Sequence, residues 1–182
     1  MPIRDPDVQA VANLAITLES QWLTDDEPWR GSPFSWIRNR TLAQKSKILV
    51  DLVGRWLGTQ GYDVRPSADT ESDRLVAGKR VEIRTSTPWE DGSYRFQPLR
   101  NQKWDVLVCF GLAPFDARCW ALGKKSVLEQ WGKDGGIPVA KSKEEGENGS
   151  LRVTPGQEPD WLKPHGGTLS DARKALTRLL KG

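Results

Sequence analysis

Apolar residues recur every three or four positions in several parts of the chain, which predicts amphipathic helices with one buried side. The predicted helices cover residues 7–22, about 34 or 41 to 59, 124–131, and the segment after Thr168. Gly61 supplies a stop signal for the second helix. Thr168 and Asp171 form a capping pair at the start of the last. In the short helix, the side chains expected to face inward are Val127, Leu128 and Trp131.

Residues 71–86 carry the pattern of a β-hairpin. Leu75 and Val76 lead into a turn at Ala77-Gly78, and the next residues alternate between apolar and charged. Because successive side chains on a strand point to opposite faces, the alternation divides the second strand into two sides. The apolar side holds Val81 and Ile83, and the charged side holds Arg80, Glu82 and Arg84. A glutamate between two arginines on such a strand favours a face that lines a site.

Further strands are predicted on both sides of the hairpin. Residues 62–65 can start a first strand, and the near-continuous apolar run 105–111 is typical of a central strand covered on both faces. Residues 118–122 follow at strand spacing. The alternation of helices and strands predicts an α/β fold with a mixed central sheet flanked by helices.

The remaining segments are predicted to be loops. Residues 88–93 are rich in turn formers, and residues 94–97 alternate only weakly, so we expect a loop that reaches outward. Residues 132–157 are the most loop-like part, because 141–150 contain no apolar residue; a mobile segment or an insertion is expected there. Within it, residues 151–153 are predicted to form an edge strand.

Charge and composition narrow the function classes. The net charge of +3 is unevenly placed: residues 1–28 hold one arginine against six acidic residues, whereas residues 29–56 hold six basic residues against one acidic residue. Such a basic segment favours a polyanionic partner, although a solvated helix face has the same pattern. Two cysteines and one histidine exclude a disulfide scaffold and a zinc cluster. No apolar run reaches the roughly 18 residues of a membrane span, so we expect a cytoplasmic protein.

The hairpin also resembles a known family. Asp73, then Glu82-Ile83-Arg84, then the apolar strand over 104–111, is similar to the core of the PD-(D/E)xK nucleases, which have the restriction-endonuclease-like fold shared with the mismatch-repair nicking endonucleases. The resemblance covers roughly residues 40–121. The length of 182 residues suits one domain. We therefore expect a single nuclease-like domain over residues 1–182, with a helical part at 1–60, a catalytic-type core at about 40–122, and a C-terminal loop and helix at 132–182.

The resemblance also implies roles for named residues. Asp73 and Glu82 would bind Mg²⁺, for which Mn²⁺ can substitute, and Asp51 is the candidate for an additional acid on the preceding helix. Arg84 stands where the family has a lysine that helps to orient and activate the attacking water. An arginine stays protonated, so Arg84 can neutralise phosphate charge but is a poor base. Lys79 and Arg80 are nearby cations that can take the place of the lysine.

A second group of residues is predicted to bind DNA. Basic side chains would contact backbone phosphates, glutamines can pair with base edges, and a histidine beside a helix N-terminus can clamp a phosphate. The predicted DNA-binding residues are Arg38, Arg40, Lys45, Lys47, Arg80, Arg95, Gln97, Arg100, Gln102 and His165.

The expected function is therefore a Mg²⁺-dependent endonuclease of double-stranded DNA, of the type II restriction class, with a homodimer as an expected assembly and no membrane partner. Two alternatives stay open. One is a DNA-binding module of the same fold whose cleavage is lost or weakened by Arg84. The other is an unrelated α/β interaction domain in which the nine tryptophans form a partner surface.

Overall fold

The computed structural model describes residues 8–14, 28–68, 71–142 and 146–181. Residues 8–14 are helical and fall within the helix predicted for 7–22. The rest of that predicted helix lies outside the described residues, and so do residues 23–27 of the predicted loop that follows. The helices are α1 Ser35–Arg38, α2 Leu42–Thr59, α3 Lys124–Glu129 and α4 Leu169–Lys181. The strands are β1 Val64–Pro66, β2 Arg74–Val76, β3 Lys79–Ser86, β4 Tyr94–Leu99, β5 Val106–Leu112, β6 Ala117–Gly123, β7 Val139–Ser142 and β8 Gly146–Val153.

The central sheet has five strands in the order β1-β2-β3-β5-β6. Only β3 and β5 pair in parallel; the other neighbours are antiparallel. This mixed sheet with flanking helices confirms the predicted fold class. The predicted hairpin is β2-β3, and its turn has positive φ at both Ala77 (48°) and Gly78 (80°). Two such residues form the type I′ turn that matches the twist of paired strands.

Two layers cover the central sheet. On one face, α2 packs against β3 and α4 packs against β6. Their shared core includes Leu49, Val53, Val81, Ile83 and Leu176. Helix α2 begins at a capping box in which the Thr41 side chain accepts from the amide of Gln44. The opposite face packs against a second sheet of order β4-β8-β7. Strand β5 is buried along its whole length, as predicted for a central strand.

The second sheet corrects two predictions. Residues 94–97 are not an outward loop, because Tyr94 and Phe96 of β4 are buried in the second core. Residues 132–157 are not one long loop, because β7 and β8 occupy 139–142 and 146–153. Within β8, residues 151–153 pair with β4 alone, since β7 pairs only with 146–149, so their one-sided pairing agrees with the predicted edge strand. The hydropathy pattern failed because Gly149 takes an inward position: a Cβ there would lie 2.8 Å from the Trp131 ring. A glycine thus fills a core position without any apolar signal.

The described helices test the predicted helix ends and the side chains expected to face inward. Gly61 follows α2 with a φ of 88°, and Thr168 accepts from the Asp171 amide at 3.1 Å, so both predicted helix-end signals are confirmed. The expectation for Leu128 was wrong: its side chain is 39% exposed, while Val127 is fully buried. Among the described residues, no helix is long and apolar enough to cross a membrane.

Candidate active site

Asp73 and Glu82 lie opposite each other at the open end of the β2-β3 hairpin. The register pairs Arg74 with Val81, so the preceding Asp73 faces Glu82. The Asp73 amide donates to the Val81 carbonyl at 3.0 Å, and its Oδ2 accepts from the Ile83 amide at 2.8 Å. These two bonds hold the Asp73 carboxylate beside β3. The convergence of the two acids follows from the hairpin register alone.

Glu82 is a buried carboxylate. It is only 6% exposed, and its Oε1 forms an ion pair with the Arg84 guanidinium. The pKa of Glu82 is raised to about 7, chiefly by burial; the Asp73 carboxylate acts in the same direction, while the Arg84 and Arg100 guanidinium groups oppose the shift. Burial therefore disfavours the charged form of Glu82 by more than the nearby cations compensate.

Both carboxylates line a polar cleft of about 410 Å³. The cleft brings together five predicted site residues, Asp73, Glu82, Arg84, Arg100 and Gln102. It also contains residues that sequence reasoning did not select, Pro66, Ser67, Ser72 and Arg74. Three arginines next to two carboxylates make a site suited to a phosphate together with a cation, because guanidinium groups bind phosphate oxygens in pairs.

Arg84 is held on two sides. Besides its ion pair with Glu82, its Nε donates to the carbonyl of Pro98 at 2.8 Å, and its side chain is 23% exposed. The guanidinium therefore points into the cleft from a fixed position. Arg84 thus places a guanidinium beside both carboxylates of the cleft.

Arg74 connects the site to helix α2. Its Nη1 donates to the Asp73 carbonyl at 2.9 Å, and its Nη2 lies 3.4 Å from Oδ1 of Asp51. Gly54 favours the close approach, since a Cβ there would lie 3.1 Å from Arg74 Nε and the arginine would have to shift slightly. Asp51 also accepts from Arg55 at 2.8 Å, a bond that lowers the pKa of Asp51. Asp51 thus contacts the site through Arg74.

The other predicted DNA-binding residues are distributed around the molecule. Lys47 shares a groove along α2 with Asp73 and Arg74. Arg80 donates to the Lys103 carbonyl and lines a separate cleft with Trp104 and Lys124. Eight of the predicted DNA-binding residues, all within the described part of the chain, do not line the cleft of Asp73 and Glu82. They are Arg38, Arg40, Lys45, Lys47, Arg80, Arg95, Gln97 and His165.

A metal site in this cleft would rest on two carboxylates. Within the described ranges, no three His, Cys, Asp or Glu side chains are grouped as metal ligands. Mg²⁺ is commonly bound by one or two carboxylates and completes its shell with water and substrate phosphate. Asp73 and Glu82 fit that donor set, and the raised pKa of buried Glu82 is the property that a bound cation would compensate.

The pKa of Glu82 makes stability in a chelating buffer depend on pH. Folding raises the pKa of Glu82 from 4.5 to about 7, so proton binding by Glu82 stabilises the folded protein. This contribution to the free energy of unfolding is fully present below pH 4.5 and is lost as the pH rises through about 7. We expect the free energy of unfolding to fall across this interval by on the order of 3 kcal/mol. Thermal unfolding of the parent and of Glu82→Gln across this range tests it. A variant that keeps the full pH dependence of the parent contradicts the assignment.

Comparison with protein-family models and with curated proteins finds no match. Among solved structures, the chain is similar to a bacterial homing endonuclease, I-Ssp6803I, at 10% sequence identity and a TM-score of 0.50. The similar region covers 78% of this chain and 95% of that chain. At this level of identity, the likeness shows that the two proteins share a fold.

Proposed function

We propose that the protein is a Mg²⁺-dependent endonuclease of the PD-(D/E)xK type that hydrolyses phosphodiester bonds of double-stranded DNA. The observation that carries the proposal is the pair of opposed carboxylates, Asp73 and Glu82, in one cleft with Arg84. The fold shared with a homing endonuclease supports it. A type II restriction enzyme is the narrower form of the same proposal.

The cleft residues divide into two roles. Asp73 and Glu82 would hold Mg²⁺ or Mn²⁺, which supplies Lewis-acid polarisation of a phosphoryl oxygen when bound. The guanidinium groups of Arg74, Arg84 and Arg100 bind phosphate oxygens and offset the charge that develops on them. The bond from the Ile83 amide orients Asp73, and the burial of Glu82 limits access of water to its carboxylate.

A DNA-binding protein without cleavage is the second candidate. The observation that favours it is the state of Arg84, whose guanidinium contacts Glu82 and the Pro98 carbonyl. An arginine so placed remains protonated and cannot take a proton from an attacking water. Phosphate binding is retained in that case, and the chemical step is weak or absent.

One incubation distinguishes the candidates. Supercoiled plasmid is mixed with the protein in Mg²⁺, in Mn²⁺ or in chelator, and nicked and linear forms are measured beside a binding assay. The proposed nuclease cuts only with metal. Binding without cutting in either metal assigns the protein to the second candidate. Absence of both binding and cutting leaves the α/β interaction domain.

DNA binding by this site is expected to weaken steeply as salt rises, because lysine and arginine contacts release counterions from the duplex. Lys47, beside Asp73 and Arg74 in the α2 groove, should provide one such contact. We expect Lys47→Ala to reduce the slope of log affinity against log salt by about 1.

The matched control is Lys125→Ala, because Lys125 is 91% exposed on α3 and outside the α2 groove. Fluorescence anisotropy with a labelled duplex at several salt concentrations gives both slopes. Equal slopes for Lys47→Ala and the parent remove Lys47 from the interface.

A further inference from the structure

The outer face of the second sheet is polar, although its inner face is part of a core. Along β8, Gly149, Leu151 and Val153 are buried, and the residues between them point outward. The outward side chains of β4 and β8 are Arg95, Gln97, Asn148, Ser150 and Arg152. Arg152 is 58% exposed and Gln97 is exposed, so this face is open to solvent.

Two arginines lie directly opposite each other on this face. Arg95 pairs in register with Arg152, and like charges at opposed positions destabilise a sheet. Asp91 partly offsets the repulsion, with its Oδ2 2.5 Å from Arg152 and 3.9 Å from Arg95. One acid for two cations leaves the Arg95-Arg152 pair with a net positive charge. An anionic partner on this face would remove the remaining repulsion.

The outward side chains are fixed by contacts within the protein. The Arg95 guanidinium stacks 3.8 Å from the centre of the Trp89 ring. Arg152 Nε donates to Ser93 Oγ at 3.2 Å, and the Ser150 hydroxyl donates to Gln97 Oε1 at 3.0 Å. Such contacts reduce the conformational entropy that each side chain loses on binding a partner.

The face is continuous with the cleft of Asp73 and Glu82. Arg100, which lines that cleft, donates from Nε to Asn148 Oδ1 at 3.2 Å. The carbonyl of Pro98, at the end of β4, accepts from Arg84. A duplex with a phosphate in the cleft would therefore pass over the β4-β8 pair.

We infer that the outer face of β4 and β8 enters the major groove of double-stranded DNA and reads its base sequence through Gln97 and Arg152. This inference rests on the proposed function. The major groove is about 12 Å wide and accepts a two-stranded β-ribbon. Arginine pairs with the O6 and N7 acceptors of guanine, and glutamine pairs with the N6 and N7 groups of adenine.

The contacts of Arg152 are compatible with base reading. Its bonds to Ser93 and Asp91 engage Nε and one Nη2 donor, whereas a guanidinium carries further N–H donors in a planar fork. Arg95, whose ring contact holds it against Trp89, is placed to contact the adjacent backbone phosphate. The face thus combines base-reading groups with a positioning charge.

The test is a selection from a randomised duplex library, in Ca²⁺ in place of Mg²⁺, followed by sequencing of the bound fraction. The parent, Gln97→Ala, Arg152→Lys and the control Lys125→Ala are compared. Arg152→Lys keeps the charge but loses the fork, so we expect its overall affinity to stay close to that of the parent. Its preference at one base pair should fall about 10-fold or more. Gln97→Ala should relax a neighbouring position, and Lys125→Ala should change neither.

The outcomes separate the two proposals. A parent that binds no duplex overturns both the proposed function and this inference. A parent that binds duplex without enriching a sequence overturns this inference alone. The inference is also overturned if Gln97→Ala and Arg152→Lys both keep the sequence preference of the parent. It is overturned as well if the control Lys125→Ala weakens that preference to the same extent. If Arg152→Lys loses self-association and keeps the sequence preference of the parent, the outer face of β4 and β8 binds a second copy of the chain. That result also overturns the inference.

Discussion

Replacing Glu82 with glutamine is expected to lower the rate of DNA cleavage by about 100-fold or more, while affinity for duplex DNA changes little. Glutamine keeps the shape of the buried side chain but removes its charge, and with it one of the two anionic ligands of the proposed metal site. The phosphate-binding arginines of the cleft, Arg74, Arg84 and Arg100, remain. Plasmid nicking and duplex binding measured on the same preparation test both parts.

For the other carboxylate, asparagine is the informative replacement. Asp73 Oδ2 accepts from the Ile83 amide, and alanine would leave that amide without its acceptor, at a cost of about 1–3 kcal/mol. Asp73→Asn keeps an acceptor oxygen and removes the charge, so a loss of cleavage is not confused with a loss of folding.

The controls are the same replacements at exposed acids. Asp160 is 96% exposed and Glu129 lies on the exposed side of α3, so Asp160→Asn and Glu129→Gln should cut as the parent does. Cleavage at the parental rate by either Glu82→Gln or Asp73→Asn contradicts the assignment of the metal ligands.

The hairpin and its two acids were predictable because the information is local. Alternation over residues 80–84 and the Ala77-Gly78 turn determine which side chains share a face, and the register then places Asp73 opposite Glu82. Arg80 shows the limit of that reasoning. It alternates in phase with Glu82 and Arg84, yet it lines another cleft near the turn, because period-two alternation fixes the face but not the distance along the strand.

Parts of the site that depend on packing between distant segments were not predictable. Arg74 reaches Asp51 by passing close to Gly54 of α2, and no sequence pattern signals that contact. The second sheet was missed for a similar reason: Gly149 and Trp131 complement each other, although neither lies in an apolar run. The single-domain organisation, the metal and the homodimer stay predictions.

Arg84→Lys is expected to increase the rate of cleavage. Lysine has a side chain of similar length, and loss of the Nε bond to Pro98 should reduce stability by only about 1 kcal/mol. Burial, the main cause of the raised pKa of Glu82, lowers the pKa of a lysine, and a metal ion held by Glu82 and Asp73 would offset the carboxylates that raise it. A lysine in this cleft could then release a proton and accept one from water, which arginine cannot do.

General acid–base catalysis typically contributes about 10²- to 10⁴-fold, so even partial recovery is measurable by plasmid nicking. Arg80→Lys is the matched control, because Arg80 lies in the separate cleft beside Trp104 and its replacement should leave the rate unchanged. If Arg84→Lys cuts no faster than the parent and Lys79→Ala or Arg80→Ala abolishes cleavage, another cation of the hairpin serves the reaction. If Arg84→Lys, Lys79→Ala and Arg80→Ala all leave the rate of a protein that cuts DNA unchanged, Lys79 and Arg80 do not stabilise the transition state, and a group other than residue 84 activates the water.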